Sequence, residues 1–309
     1  MDIRIPVEFA DIVDEIVRHT DLTRDEVRAR VWREAVEGGW NVAQDVRRFG
    51  VTPHQYDDNM ACLYTQGDGF IFETLAFWAT TARQRWIRHA TDRLRAYGER
   101  HGRAPRGLAI LMLGDGTGND SLYLVARGYA VDYFDVPGGR TFEFARRRFE
   151  SAGVLGRSVR LVSDSGAIQP GGYDAVLSFE VLEHLPDPRS AIRDMAGFLR
   201  PGGIALITEA FGRVTRVVPT HLAANGRFDG RTAFLFRRHG LSLIWYSRNP
   251  LFKPMEFTKT GARGARGART VVALLRDPNV LRTFAGARYN SLGRRLAALL
   301  RRALPQDAD

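Results

Sequence analysis

The sequence predicts an α/β protein: a mostly parallel sheet flanked by helices, preceded by a helical extension. From residue 109 onward, apolar runs of strand length alternate with helical periodicity, the pattern of a parallel sheet with right-handed crossovers. The run 109–113, Ala-Ile-Leu-Met-Leu, stops at Gly114-Asp-Gly-Thr-Gly118, and helical spacing resumes through Leu122, Val125 and Ala126. That is a strand, a tight turn and a helix start, and glycines in such a turn let a ligand approach the backbone and the free N–H groups of the helix. Acids also recur where successive strand-like runs end, at Asp135, Asp164 and Glu180. Strands that all point the same way bring such acids to one crevice.

The elements follow in order. Residues 6–100 carry helical patterns and no strand signal. Val7, Ala10, Val13, Ile16 and Val17 recur at helical spacing. Thr23 followed by Glu26 reads as a capping box that opens a second helix, and Gly38-Gly39 closes it. A third pattern runs from Gly69 through Phe72, Leu75, Ala76, Ala79 and Trp86 to Tyr97 and stops near Gly98. Residues 102–107, with Pro105, form a linker. Strands are expected at 109–113, 130–134, 159–162, 174–179, 204–208 and 241–246, with a last one at 270–275. Helices are expected from 119, over 141–152, over 188–199 up to Pro201-Gly-Gly, and over 231–239 up to Gly240. The Gly-Ala-Arg repeat of 261–269 is then a loop between the final two strands. Residues 279–304 form an amphipathic basic helix with Leu281, Phe284, Leu292, Leu296, Leu299 and Leu300 on its apolar side, expected to dock on the protein or on a second subunit as a homodimer contact. The division is a helical extension or substrate cap at 1–104, a sheet domain at 105–276 and a basic C-terminal helix at 277–309.

Composition narrows the function classes. With 309 residues and 44% hydrophobic content the chain can build a sizeable core. No run of 18 apolar residues is present, and Met-Asp-Ile-Arg-Ile-Pro lacks the basic and apolar regions of a signal peptide, so a cytoplasmic enzyme is expected. A single cysteine, Cys62, excludes an internal disulfide and a cysteine-built zinc site. The net charge of +10 is concentrated at the C-terminal end: residues 259–304 hold eleven basic side chains and one acid, Asp277. The region with the chemistry is nearly neutral, so the charge does not by itself make this a nucleic-acid-binding protein. A flexible phosphate-binding arm or a membrane-surface role for the basic C-terminal segments stands as the alternative reading.

The series Gly114-Asp-Gly-Thr-Gly118, Asp135, Asp164 and Glu180-Val-Leu-Glu-His-Leu-Pro-Asp-Pro188 resembles the class I S-adenosylmethionine-dependent methyltransferases. It is most similar to the small-molecule methyltransferases of the ubiquinone and menaquinone type, over roughly residues 105–276. The resemblance implies a Rossmann-like sheet with the last strand antiparallel and S-adenosyl-L-methionine as cofactor. It implies that Gly114, Gly116 and Gly118 cradle the methionine part, that Asp135 holds the ribose hydroxyls, and that Asp164 meets the adenine amino group. Glu180 and Tyr64 join the cofactor-binding set. One departure is plain: the family places an acid two residues before the first glycine, where this chain has Met112, and Asp115 is expected to take over the contact with the ammonium group.

Methyl transfer from a sulfonium is an in-line displacement with a neutral leaving group. Catalysis therefore rests on alignment and, for a hydroxyl acceptor, on removing its proton. Histidine suits that task because its ordinary pKa lies near neutrality. His184 follows the fourth strand, His221 sits in Pro219-Thr-His-Leu222 after the fifth, and His54 lies in the extension beside Tyr56. The resemblance favours His221 and His184 as the base, His221 matching a Pro-x-His-Leu-like segment at the substrate mouth. Glu209 is an alternative base or an anchor for a substrate amine. The spacing Glu180, Glu183, His184 matches a divalent-metal set found in quinone-pathway relatives, but the same pattern occurs in metal-free members, and no metal is expected. The expected activity is methylation at O or N of a small-molecule methyl acceptor such as a secondary metabolite, a quinone precursor or a sugar-linked compound. RNA or DNA methylation through the Arg-rich C-terminal region is the first rival, although the Asn/Asp-Pro-Pro-Tyr signature of base-amino methyltransferases is missing after the fourth strand. A binding protein or a non-methylating enzyme on the same cofactor fold is the other rival.

Overall fold

The computed structural model describes residues 3–246 and 254–260. Six helices come first: α1 (Phe9–His19), α2 (Arg24–Val36), α3 (Trp40–Arg48), α4 (Asp58–Gln66), α5 (Gly69–Trp78) and α6 (Thr81–Arg100). Thr23 caps α2 as expected, its side chain accepting from the N–H of Glu26. Gly39, at φ +84°, is the joint through which the chain turns from α2 into α3, and a Cβ there would lie 2.9 Å from the carbonyl oxygen of Val217. The single long helix expected from Gly69 to Tyr97 is two. The chain breaks at Ala79-Thr80, where the Thr80 hydroxyl accepts from the N–H of Arg83 and opens α6. Helices α3 and α4 fall inside the 6–100 stretch expected to be helical, where the sequence marks no boundaries for them.

A seven-stranded sheet follows, with β1 (Ala109–Leu113), β2 (Ala130–Phe134), β3 (Val159–Val162), β4 (Tyr173–Phe179), β5 (Leu199–Thr208), β6 (Leu241–Tyr246) and β7 (Met255–Lys259) in the spatial order β3-β2-β1-β4-β5-β7-β6. The crossovers carry α7 (Asn119–Val125), α8 (Arg140–Ser151), α9 (Pro188–Phe198) and α10 (Thr232–Arg237). All pairings are parallel except those of β7, which runs antiparallel between β5 and β6. An antiparallel strand not expected from the sequence lies at 255–259, between β5 and β6, and the Gly-Ala-Arg repeat begins just after it in the chain. The polar letters of Met-Glu-Phe-Thr-Lys hide this strand from a hydrophobic pattern. Met255 and Phe257 are buried, Phe257 stacks on Phe236 at 4.1 Å between ring centroids, and the fully buried Glu256 carboxylate is neutralised by Arg93. The stretch 270–275, the repeat 261–269 and the basic helix of 279–304 lie outside the described residues, as does the Arg-rich grip of the nucleic-acid reading.

Alternation along the strands divides the core between the two faces of the sheet. Ile110 and Met112 of β1 join Val131, Tyr133, Leu177 and residues Ile87, Ala90 and Leu94 of α6 on one face, whereas Leu111 joins Val176, Ile192, Phe236 and Phe257 on the other. Helix α6 is thus part of the layer that covers the sheet. A third cluster unites α1, α2 and α5 with Phe144 of α8. Arg148 of α8, fully buried, ties that assembly to the first glycine turn: its Nε donates to Glu15 of α1 at 2.6 Å and its Nη1 to the carbonyl of Thr117 at 2.6 Å. No helix among the described residues is long and apolar enough to cross a membrane.

The strand order reverses between β1 and β4, which opens a crevice at their carboxyl ends. Gly114, Asp135, Asp164, Glu180 and Glu209 all stand at or just beyond those ends.

Candidate active site

The glycine turn is held from every side. Gly114, Gly116 and Gly118 adopt φ values of +74°, +58° and +78°, a region costly for residues with a Cβ. Their roles differ. A Cβ on Gly114 would meet Val181 at 2.4 Å and one on Gly118 would meet the Phe149 ring at 2.5 Å, so these two let neighbouring elements close in. At Gly116 the sole neighbour of such a Cβ is Thr74 Cγ2, at 3.5 Å, so its outer face is open. The N–H of Gly116 donates to Asp135 Oδ2 at 2.6 Å, its carbonyl accepts from the Tyr133 hydroxyl at 2.5 Å, and the Thr117 hydroxyl lies 3.1 Å from that of Thr74.

Asp135 accepts one backbone N–H on each oxygen, from Gly116 and from Val136 at 2.7 Å, and each oxygen keeps capacity for a second donor. Burial raises its pKa while those two bonds pull it back. Two adjacent acceptors beside an open glycine fit a vicinal diol, and so fit the ribose of the adenosyl cofactor that the resemblance implies. The Asp115 carboxylate also accepts one backbone N–H on each oxygen, from Asp120 at 3.0 Å and Ser121 at 2.8 Å, in the first turn of α7. Burial, then the charge of Asp120, raises its pKa to about 8. Asp164 is exposed at the end of β3, with one oxygen taking the N–H of Gly166 at 2.9 Å and capping a short 3-10 turn.

The second half of the site gathers around His184. Its Nδ1 lies 3.2 Å from the Thr220 carbonyl, which can only accept, so that nitrogen carries the hydrogen; the Tyr64 hydroxyl is 2.9 Å from the same atom. Burial lowers the His184 pKa to about 4, with the Thr220 bond and Glu180 opposing the fall. Tyr64, brought by α4, stacks on Phe70 at 5.2 Å, and burial drives its phenol well above the ordinary value. The His221 ring packs edge-on to His184 at 4.7 Å between centroids. Ligand-type atoms of Glu183, His184 and His221 all lie within 4.8 Å of one another. Glu180 is not a member of this group, so the spacing Glu180, Glu183, His184 does not describe the cluster. His221 replaces Glu180, arriving from a loop 37 positions after His184 in the chain. Glu180 instead takes a left-handed backbone, φ +56°, with its N–H donating to Thr208 Oγ1 at 3.0 Å.

Two further candidates also tie elements together. Glu209 is buried, its Oε2 accepting from the N–H of Phe211 and its Oε1 from the Thr232 hydroxyl, each at 2.9 Å, so it ties the loop after β5 to α10. His54, at φ +68°, clasps the 219–223 segment: its Nδ1 donates to the His221 carbonyl at 2.9 Å, its N–H to Pro219, and its own carbonyl accepts from Ala223. The extension thereby closes over the loop that carries His221.

Glu73 was not anticipated from the sequence. Burial, then repulsion from Glu34, raises its pKa to about 7, opposed by Arg213 on the loop after β5. The signal was present: Glu73 is the one charged residue in Gly69-Phe-Ile-Phe-Glu-Thr-Leu-Ala-Phe-Trp78. Thr74, its neighbour, is the residue that meets the glycine turn.

A family described as methyltransferase domain matches residues 79–250. The ubiquinone biosynthesis O-methyltransferase of Xanthomonas campestris pv. campestris (strain B100) is 34% identical over 102 residues, 33% of this chain and 43% of the relative. That of Xanthomonas axonopodis pv. citri (strain 306) is 35% identical over 99 residues, 32% and 41% of the two chains. The match thus spans less than half the length of these curated relatives. Among solved structures, a 1,6-didemethyltoxoflavin-N1-methyltransferase from Burkholderia thailandensis, with bound 1,6-didemethyltoxoflavin and S-adenosylhomocysteine, gives a TM-score of 0.43 at 19% identity, covering 66% of this chain and 86% of that one. A putative sarcosine dimethylglycine methyltransferase from Galdieria sulphuraria gives 0.42 at 17%, covering 69% and 80%.

Proposed function

Because the chain belongs to the S-adenosylmethionine-dependent methyltransferases of class I, we propose that it methylates a hydroxyl of a small, ring-bearing molecule, with His221 as the general base. S-adenosylmethionine, when bound, supplies an electrophilic methyl group on a sulfonium that departs neutral. Asp135 and the Gly116 turn hold the ribose end, while Asp164, at the end of the neighbouring strand, takes the adenine edge. The acceptor lies between the cofactor and the α4–α5 face, where Tyr64 and Phe70 present apolar rings. His221 accepts the acceptor's proton, and the nearby Glu183 carboxylate favours the imidazolium that results. His184 stays neutral and, through Thr220 and Tyr64, keeps the His221 loop registered against α4. The relatives named for ubiquinone O-methylation support oxygen as the nucleophile, as does a histidine base, which an amine acceptor needs less.

The observation that carries this reading is the buried grouping of Glu183, His184 and His221 within 4.8 Å beside the cofactor crevice. The test is transfer of a radiolabelled methyl group from S-adenosylmethionine to a panel of phenols, catechols and amines. Phenolic or catecholic products are expected, and His221→Gln should lower kcat by about 10²- to 10⁴-fold with cofactor affinity retained. Full activity of that variant, or methylation confined to amines, would overturn the proposal. One carboxylate and two imidazoles are also a donor set for a divalent cation, which would act as a Lewis acid on a catechol. Loss of activity in EDTA, restored by Mg²⁺ or Zn²⁺, would favour that second reading.

A further inference from the structure

On the outer side of the β2–α8 connection lies a cavity of about 310 Å³, bounded by the end of α3, the end of α4 and one face of α8. Three arginines line it: Arg48 from the last turn of α3, Arg140 from the first residue of α8, and Arg147 two helical turns further along α8. Thr65 and Gln66, at the end of α4, add neutral hydrogen-bonding groups.

The charges in this cavity are not balanced. None of the three arginines, all exposed at the rim of the cavity, takes part in an ion pair among the described residues, whereas Arg30, Arg83, Arg93, Arg103, Arg148 and Arg200 each have a carboxylate partner. Arg147 reaches the carbonyl of His19 at 3.2 Å and Arg48 stands over the Phe49 ring, neither of which neutralises it. The one acid in the lining, Glu143, already receives Arg146 at 2.7 Å. Asp68, whose pKa the nearby Arg140 and Arg48 help to lower, is held by both Nη atoms of Arg30, and Asp45 is turned to the N–H of Gly69. Like charges converging on a concave surface raise the local potential for an anion. Helix α8 adds to this potential: it is twelve residues long, and its Gly139 N-cap offers no side chain to satisfy the first-turn N–H groups.

We propose that this cavity is an anion site for a phosphoryl group, held by Arg48, Arg140 and Arg147. Guanidinium forks match the geometry of phosphate oxygens, and three of them suit a dianion better than a carboxylate. The site is distinct from the crevice at the glycine turn. Gly138, also in its lining, lies three residues beyond Asp135, so an occupant would brace the outer side of the loop whose inner side meets the ribose.

The test is titration calorimetry of the full chain with inorganic phosphate and with phenyl phosphate, at low and at physiological ionic strength. Binding of both that weakens with salt is expected, and Arg140→Gln and Arg147→Gln should each weaken it by about tenfold. Comparable affinity for the two ligands marks a free anion as the natural occupant. Phenyl phosphate binding more than about tenfold tighter marks a phosphoryl group carried on a larger molecule. Circular dichroism melts of each variant, and their retained affinity for S-adenosylhomocysteine, separate loss of this site from loss of the fold or of the methyltransferase site. Absence of phosphate binding by the wild type, or equal binding by the folded variants, would overturn the proposal.

Discussion

Replacing His184 with glutamine should change how stability depends on pH more than it changes stability at neutrality. Burial lowers the pKa of this ring from 6.5 to about 4. Between those values the unfolded chain binds a proton that the folded chain refuses, so stability is intact above the unfolded value and falls as the pH drops toward the folded one. Each pKa unit corresponds to about 1.4 kcal/mol, so by about pH 5 the ring withdraws about 2 kcal/mol from wild-type stability. Glutamine cannot titrate, yet its amide N–H groups can still donate to the Thr220 carbonyl and the Tyr64 hydroxyl. His89 carries a similar burial-driven shift to about 4, and Glu73 and Asp115, raised to about 7 and 8, act with the opposite sign. Those groups titrate in both proteins and cancel in the difference. Urea unfolding followed by tryptophan fluorescence, at about pH 7 and about pH 5, should show the variant losing about 2 kcal/mol less than the wild type. Parallel losses would refute the neutral, buried His184 on which the geometry around Thr220 and Tyr64 rests.

The glycine turn gives a contrast within five residues. Gly118→Ala should cost about 2–4 kcal/mol in chemical unfolding, because φ +78° and a ring at 2.5 Å oppose the new methyl group together. Gly116→Ala, with its open outer face, should cost about 1 kcal/mol and lose cofactor affinity instead, which calorimetry against unfolding will separate. Arg148→Ala should destabilise by about 2–4 kcal/mol, since it removes the buried partner of Glu15, which keeps Arg18, and leaves the carbonyl of Thr117 and the amide oxygen of Asn119 without their donor; thermal melts will read it directly.

The sheet was legible because its central strands are short apolar runs ended by a glycine or an acid, at Gly114, Asp135, Glu180 and Glu209, and β4 is buried along its whole length. The strand β7 was not, because Glu256 is a buried ion pair with Arg93 that no periodicity announces. Helix α3 has weak apolar spacing for a related reason: it buries the polar anchors Asn41 and Asp45 beside Val42. Asp135 was legible as an acid at the end of a strand. The backbone bonds that Asp115 and Glu209 accept were not, since they depend on local geometry that the letter does not carry. The grouping of His221 with Glu183 and His184 joins residues distant in the chain, and its geometry depends on the clasp that His54 makes across 167 positions. Sequence spacing pointed to Glu180 instead because adjacency in the chain was the sole guide.

Asp135, whose two oxygens each accept one backbone N–H and keep room for another donor, stands beside the open Gly116 at the centre of the cofactor site. Calorimetric titration of the full chain with S-adenosylhomocysteine should give one site per chain, and Asp135→Ala should weaken it by about 100-fold or more while the melting temperature stays within a few degrees of the wild type. No heat of binding in the wild type, or unchanged affinity in the folded Asp135→Ala variant, would contradict it.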